Sequence, residues 1–338
     1  MKENKKERKR PIIGITCGDL NGIGMEVALK ALNDTRVLKH LTPVLLCSSK
    51  VVSFYRKHLK LDNFTYFHTE DIRTLNPKKV NVLNLWEDTI EIQPGIASKD
   101  LSVYTRQSLA KSCELLKENE IAAVVTAPLN KQLVNNEEFQ FPGHTEYFTQ
   151  AFGVEDSLMF MVEENLRVGL VTGHLPLHQV APAITEEKVM AKAKMMIASL
   201  SRDFGIKKPK VAVLALNPHA GEEGLLGSEE NDTIIPAIEN LKQSGNLVFG
   251  PFPADGFFGS NQHQQFDGVL AMYHDQGLIP FKYMAFGNGV NFTAGLPFVR
   301  TSPDHGTAFP IAGKGLADAS SFRHALFCAA DIAKRRDD

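Results

Sequence analysis

Short runs of Val, Ile and Leu recur along the chain: Ile12–Thr16, Val44–Cys47, Val80–Leu83, Ala122–Thr126, Val168–Thr172, Val211–Leu216 and Val269–Met272. They are mostly apolar throughout and do not alternate with polar residues. A strand of that kind needs cover on both faces, so it belongs inside a sheet flanked by helices. Helical patterns stand between the runs, clearest at Gly24–Leu32, Tyr104–Asn119, Glu186–Phe204 and Asp232–Ser244, with apolar positions three and four apart. Thr185 is placed to cap the third of these, and Glu186 and Glu187 put negative charge in its first turn, where the helix dipole favours it. The alternation of strands and helices predicts a largely parallel α/β architecture. At 338 residues the chain has room for about two such domains.

A formal net charge of −2 disfavours a general nucleic-acid binder. Cys17, Cys47, Cys113 and Cys328 stand far apart with no C-x-x-C pair, which excludes a zinc ribbon and points to a reducing compartment. No apolar stretch is long enough for a membrane span. Residues 1–10 hold a cluster of Lys and Arg and are expected to be a flexible basic tail. The protein is expected in the cytoplasm, with neither nucleic acid nor membrane as a partner.

Three histidines occupy the same kind of place. His174, His219 and His274 each stand just past the end of a strand candidate. In open α/β sheets, ligands bind outside the carboxyl ends of strands. Three imidazoles delivered there are expected to form a metal site with three protein ligands and one open position. Nitrogen donors favour Zn, Co, Ni or Fe, while Asp255 and Asp275 nearby leave Mn or Mg open. His144, in Phe141-Pro142-Gly143-His144-Thr145-Glu146, is a fourth candidate.

Lys282 and Arg300 are cations within apolar, Pro-containing stretches, suited either to snorkelling or to capture of a phosphate or carboxylate. Asn291 offers an amide nearby. Gly18-Asp19-Leu20-Asn21-Gly22-Ile23-Gly24 matches a dinucleotide fingerprint only in part. It reads better as a tight strand-to-helix turn that needs small residues. Serine-hydrolase, zincin and P-loop motifs are missing.

Several segments together carry a family resemblance: Thr126-Ala127-Pro128-Leu129-Asn130-Lys131, Gly143-His144-Thr145-Glu146, Gly173-His174-Leu175-Pro176-Leu177, Asn217–Glu222, Tyr273-His274-Asp275-Gln276-Gly277, Gly289–Arg300 and Asp304-His305-Gly306-Thr307-Ala308. With them the chain resembles the 4-hydroxythreonine-4-phosphate dehydrogenase family of pyridoxal phosphate (vitamin B6) biosynthesis, from about Pro11 onward. The resemblance implies two α/β/α lobes with a central cleft, similar to isocitrate and isopropylmalate dehydrogenases. The first would comprise 11–135 and 297–338, and the second, with the metal ligands, 136–296. It implies His174, His219 and His274 as ligands of one divalent metal, with zinc foremost and Co, Mn or Mg as alternatives. His144, Thr145, Lys282, Asn291 and Arg300 would contact substrate, and Lys282, Asp255 and Asp275 would be catalytic.

The implied reaction is NAD- or NADP-dependent oxidation of 4-phosphooxy-L-threonine at C3, then decarboxylation to 3-amino-2-oxopropyl phosphate. The implied assembly is a homodimer whose active site is shared between subunits. No residue is matched to the nicotinamide. The rivals are a paralogue acting on 4-phospho-threonate, 4-phospho-erythronate or a cis-dihydrodiol carboxylate and, more distantly, a three-histidine metal-dependent hydrolase. Leu20 and Met25 stand where many relatives have proline, and Pro310 where an acidic residue is common.

Overall fold

The computed structural model describes residues 10–135 and 143–337. The expected basic tail, Arg10 aside, lies outside the described residues, as do Phe141 and Pro142 of the His144 turn. Twelve strands run through the described residues: β1 Ile12–Thr16, β2 Thr42–Cys47, β3 Tyr66–Thr69, β4 Val80–Asn84, β5 Ala123–Thr126, β6 Leu158–Glu163, β7 Leu166–Leu170, β8 Lys210–Leu214, β9 Leu247–Phe252, β10 Gly268–Ala271, β11 Val290–Ala294 and β12 Val299–Pro303. The chain divides into two compact units, Met1–Phe148 with Phe298–Lys334, and Thr149–Pro297 with Arg335–Asp338. The boundary expected at 135/136 therefore falls at 148/149, and Gly143–Phe148 belong to the first unit.

In the first unit the strand order is β3-β4-β2-β1-β5-β12, with every neighbouring pair parallel. β2 and β5 are buried at every residue, which is why their sequences show no alternation. The glycine-rich turn after β1 is closed by the protein itself. Asp19 N–H donates to Pro128 O at 2.8 Å and Ile23 N–H to Thr307 O at 2.9 Å. Gly18 has φ +64°, and a Cβ there would lie 2.4 Å from Pro128 O. Glycine is needed here for packing, as the tight-turn reading expects.

In the second unit the order is β11-β6-β7-β10-β8-β9. The pairs β11–β6 and β6–β7 are antiparallel, and the rest are parallel. The core here gathers Val168, Leu170, Val269 and Ala271 from the strands with Leu278, Phe281 and Ala285 from the helix His274–Ala285. Gly277 permits that contact, since a Cβ on it would sit 2.9 Å from both Leu170 and Val168. The close approach brings the first turn of this helix, with His274, against the strand ends.

The strands not anticipated are β3, β6, β9, β11 and β12. β12 reads Val-Arg-Thr-Ser-Pro yet is buried throughout, because its polar groups are bonded inside the unit: Thr301 Oγ1, for example, donates to Ala325 O at 2.9 Å. Thr185 caps the helix Glu186–Arg202 as expected, its hydroxyl accepting from Lys188 N–H. No helix among the described residues is long and apolar enough to cross a membrane.

Candidate active site

The three histidines leave three adjacent parallel strands of the second unit. His174 follows β7, His274 follows β10 and His219 follows β8, and the strand order there is β7-β10-β8. Backbone and side-chain bonds lock these ends together. Thr172 donates to Met272 O through both its N–H, at 3.1 Å, and its hydroxyl, at 2.7 Å. Gln276 ties β10 to β8: its Nε2 donates to Ala215 O at 2.6 Å, and its Oε1 accepts from Met272 N–H at 2.7 Å.

The His174 and His274 rings lie with centroids 5.4 Å apart. His274 Nδ1 is 2.8 Å from Asp275 Oδ1. A ring N–H donated to that carboxylate leaves Nε2 with its lone pair, the arrangement a metal-binding imidazole needs. His219 lines a cavity of ≈ 600 Å³ with Asp255, Phe258, Tyr273, Asp275 and Gln276. The donor chemistry of this region fits a divalent cation. Among the described residues, however, no group of three or more His, Cys, Asp or Glu already converges on one point. Two of the three expected ligands are adjacent, and the third stands on the neighbouring strand end.

That third histidine sits in an unusual turn. His219, Ala220, Gly221, Glu222 and Glu223 all have positive φ, from 44° to 78°. Left-handed backbone costs about 1–2 kcal/mol for each non-glycine residue. Such a run persists only where its surroundings over-determine it.

A second group forms in the first unit around Arg300 of β12. Arg300 is 3% exposed. Its Nε and Nη2 donate to Thr126 Oγ1 at 3.1 and 2.7 Å, and its Nη1 to Thr145 Oγ1 at 3.5 Å. Burial pulls the guanidinium down to about 10, opposed by the nearby Glu146 carboxylate, so it remains a cation at neutral pH. Burial, then the charges of Arg300 and Lys131, hold His144 well below the ordinary histidine range, and it is neutral. Its Nε2 is buried and has no hydrogen-bond partner among the described residues.

The other expected residues are placed as follows. Asn291 is on β11, with its Oδ1 buried and without a hydrogen-bond partner among the described residues. Lys282 is exposed, on the helix that begins with His274, and is not among the residues lining the His219 cavity. Asp255 stands in the first turn of the helix Ala254–Gly259. Thr126, Gln276 and Glu230 were missed as contributors. The first two lie within the matched segments but carry no titratable chemistry that would single them out. Glu230 lies in an ordinary acidic stretch.

A family model described as pyridoxal phosphate biosynthetic protein PdxA matches residues 39–329. A 4-hydroxythreonine-4-phosphate dehydrogenase of Bacteroides thetaiotaomicron is 45% identical over 338 residues, covering 99% of this chain and 91% of that protein. The crystal structure of a 4-hydroxythreonine-4-phosphate dehydrogenase from Klebsiella pneumoniae superposes with a TM-score of 0.84 at 33% identity, covering 96% of this chain and 98% of that one. That of a terephthalate 1,2-cis-dihydrodiol dehydrogenase from Burkholderia xenovorans LB400 gives 0.62 at 25% identity, covering 93% and 96%.

Proposed function

The chain belongs to the PdxA family of pyridoxal phosphate biosynthetic proteins, and from that membership we propose the activity for which its relatives are named. It is an oxidoreductase. Its substrate is 4-phosphooxy-L-threonine, which is oxidised at C3 and then loses carbon dioxide to give 3-amino-2-oxopropyl phosphate, in vitamin B6 biosynthesis. The observation that carries this reading is the delivery of three histidines to the ends of three adjacent parallel strands.

His174, His219 and His274 would hold the divalent cation, with zinc the preferred metal for three imidazoles. Bound there, the cation would supply Lewis acidity toward a substrate hydroxyl, and NAD or NADP would supply the hydride acceptor. Asp275 orients the His274 ring. Asp255 lines the cavity beside His219 and is available to hold a proton or a polar substrate group. The Gly18–Gly24 turn, filled by Pro128 and Thr307, does not fit a pyrophosphate cradle, and no residue is assigned to the nicotinamide.

Arg300 binds a phosphate or carboxylate oxygen through its fixed guanidinium. Thr145, His144 and Asn291 add a hydroxyl, a neutral imidazole and an amide for orienting the substrate. Lys282, exposed and cationic, anchors an anion or moves a proton.

The active enzyme is proposed as a homodimer that shares its active site. Ile279 and Tyr283, 67% and 78% exposed, lie one turn apart on the helix that begins with His274, and Phe286, 83% exposed, follows its end. A second copy would cover such an apolar stripe. The cytoplasm is the proposed location, in keeping with cysteines that form no disulfide among the described residues.

The test is an assay of the metal-loaded protein with NAD+ or NADP+. Reduced-nicotinamide absorbance should appear with 4-phosphooxy-L-threonine and be weaker with 4-phospho-threonate, 4-phospho-erythronate or a cis-dihydrodiol carboxylate. Preference for one of those acids would move the protein to a paralogous activity. No reduced nicotinamide with any acid would favour the hydrolase.

A further inference from the structure

Glu230 is 1% exposed, a depth at which a carboxylate is ordinarily paired with a cation. Here its partners are N–H donors. Oε1 accepts from the backbone N–H of Leu216 and of Asn217, both at 2.8 Å, and Oε2 accepts from Asn217 Nδ2 at 2.9 Å. Leu216 and Asn217 are the residues through which β8 passes into the left-handed turn Pro218–Gly224. The same Oε2 lies 2.7 Å from where a Cβ on Gly221 would stand, and Gly227 O lies 2.9 Å from that point. The turn is therefore wrapped around this carboxylate, and Gly221 is the residue that lets it close. Asn217 Nδ2 is bonded in addition to Glu229 Oε2 at 2.7 Å. Nothing in this arrangement requires a charge for solubility or for pairing. What it does is fix the exit direction of β8, and His219 is the second residue beyond Asn217.

We propose that Glu230 is the positioning residue of the metal centre, holding the left-handed turn against the end of β8 so that the His219 imidazole stands at the wall of the cavity it shares with Asp255 and Asp275. The inference rests on the metal-ligand reading given above. Glu230 itself does not touch substrate or cation. It acts through the backbone, as the acceptor for the Leu216 and Asn217 N–H groups, and shares the Asn217 amide with Glu229. Glu230→Gln keeps the shape and one acceptor oxygen but turns an N–H2 toward Asn217 Nδ2. Glu230→Ala removes both of its acceptor oxygens and leaves the Leu216 and Asn217 N–H groups without them.

Co2+ replaces zinc as a probe, because its visible ligand-field absorption reports both affinity and coordination. Titration of the full chain with Co2+ should show affinity about tenfold weaker in Glu230→Gln and about 100-fold weaker in Glu230→Ala, with an altered band, the range found when groups behind metal ligands are removed. In hydrogen exchange, the Leu216 and Asn217 amides should exchange faster in both variants. Should Glu230→Ala fail to fold, Glu230→Gln decides. A residue that merely supports folding would lower the unfolding temperature and leave the Co2+ affinity and band of the folded protein unchanged, and that result overturns the proposal. If the parent protein itself shows no Co2+ band, the metal-ligand reading has failed, and the inference falls with it.

Discussion

The two units treat their strand ends differently. Around Arg300 and His144 the site is dry: the guanidinium is enclosed and held by two threonine hydroxyls, and the imidazole is kept neutral by burial and neighbouring charge. Around His174, His219 and His274 it is open: His174 and His219 are exposed, and order comes from the backbone behind them. A dry site can organise an anion with few groups, because each charge–dipole contact is strong in a low dielectric. An open site must hold its side chains by rigid attachment, here through Gln276, Thr172 and Glu230.

Loss of a proposed ligand from the open site should have the largest effect. His274→Ala is expected to weaken Co2+ binding by about 100-fold or more, measured by titration, while the Arg300 region is untouched. Arg300→Lys is the counterpart in the dry site. It loses the fixed fork to Thr126 and Thr145 and should raise KM for the phosphorylated acid by about 10- to 100-fold, with metal affinity unchanged. Equal effects of this variant on metal and substrate would erase the distinction between the two sites. Asp275→Asn, which weakens only the hold on the His274 ring, should reduce metal affinity by about tenfold.

The smallest effect is on stability. Because the folded protein holds His144 below its ordinary value, the unfolded chain binds the extra proton, so stability contributed by keeping this ring neutral is lost as pH falls below about 6.5. In urea unfolding, the midpoint of the parent relative to His144→Asn should drop progressively from pH 7.5 to pH 5.5. Parallel midpoints over that range would mean that the ring is not dry.

Much of this was legible in the sequence. β1 and the helix Gly24–Leu32 have the expected bounds, and the other anticipated strands differ by one or two residues at their ends, because continuous apolar runs have few alternatives in a parallel sheet. β12 was not legible, since the sequence does not say that Arg300 will meet Thr126. β6 and β11 form the antiparallel part of their unit, outside the β–α alternation of the sequence. The histidines could be found because strand ends are predictable from apolar runs. Glu230 could not: a glutamate two residues before a helical stretch normally faces water, and only the fold turns its carboxylate into the His219 turn. The two glycine-rich turns make the same point. The one after β1 resembles a cofactor loop and is filled by its own backbone neighbours, whereas the one after β8 holds a carboxylate and carries a candidate ligand.

The most direct test of the central claim is X-ray absorption at the zinc edge of the zinc-loaded protein, alone and as His219→Ala. Three imidazole nitrogens at roughly 2.0–2.1 Å are expected in the parent and two in the variant. A shell of oxygens alone, or the same nitrogen count in both proteins, would contradict it.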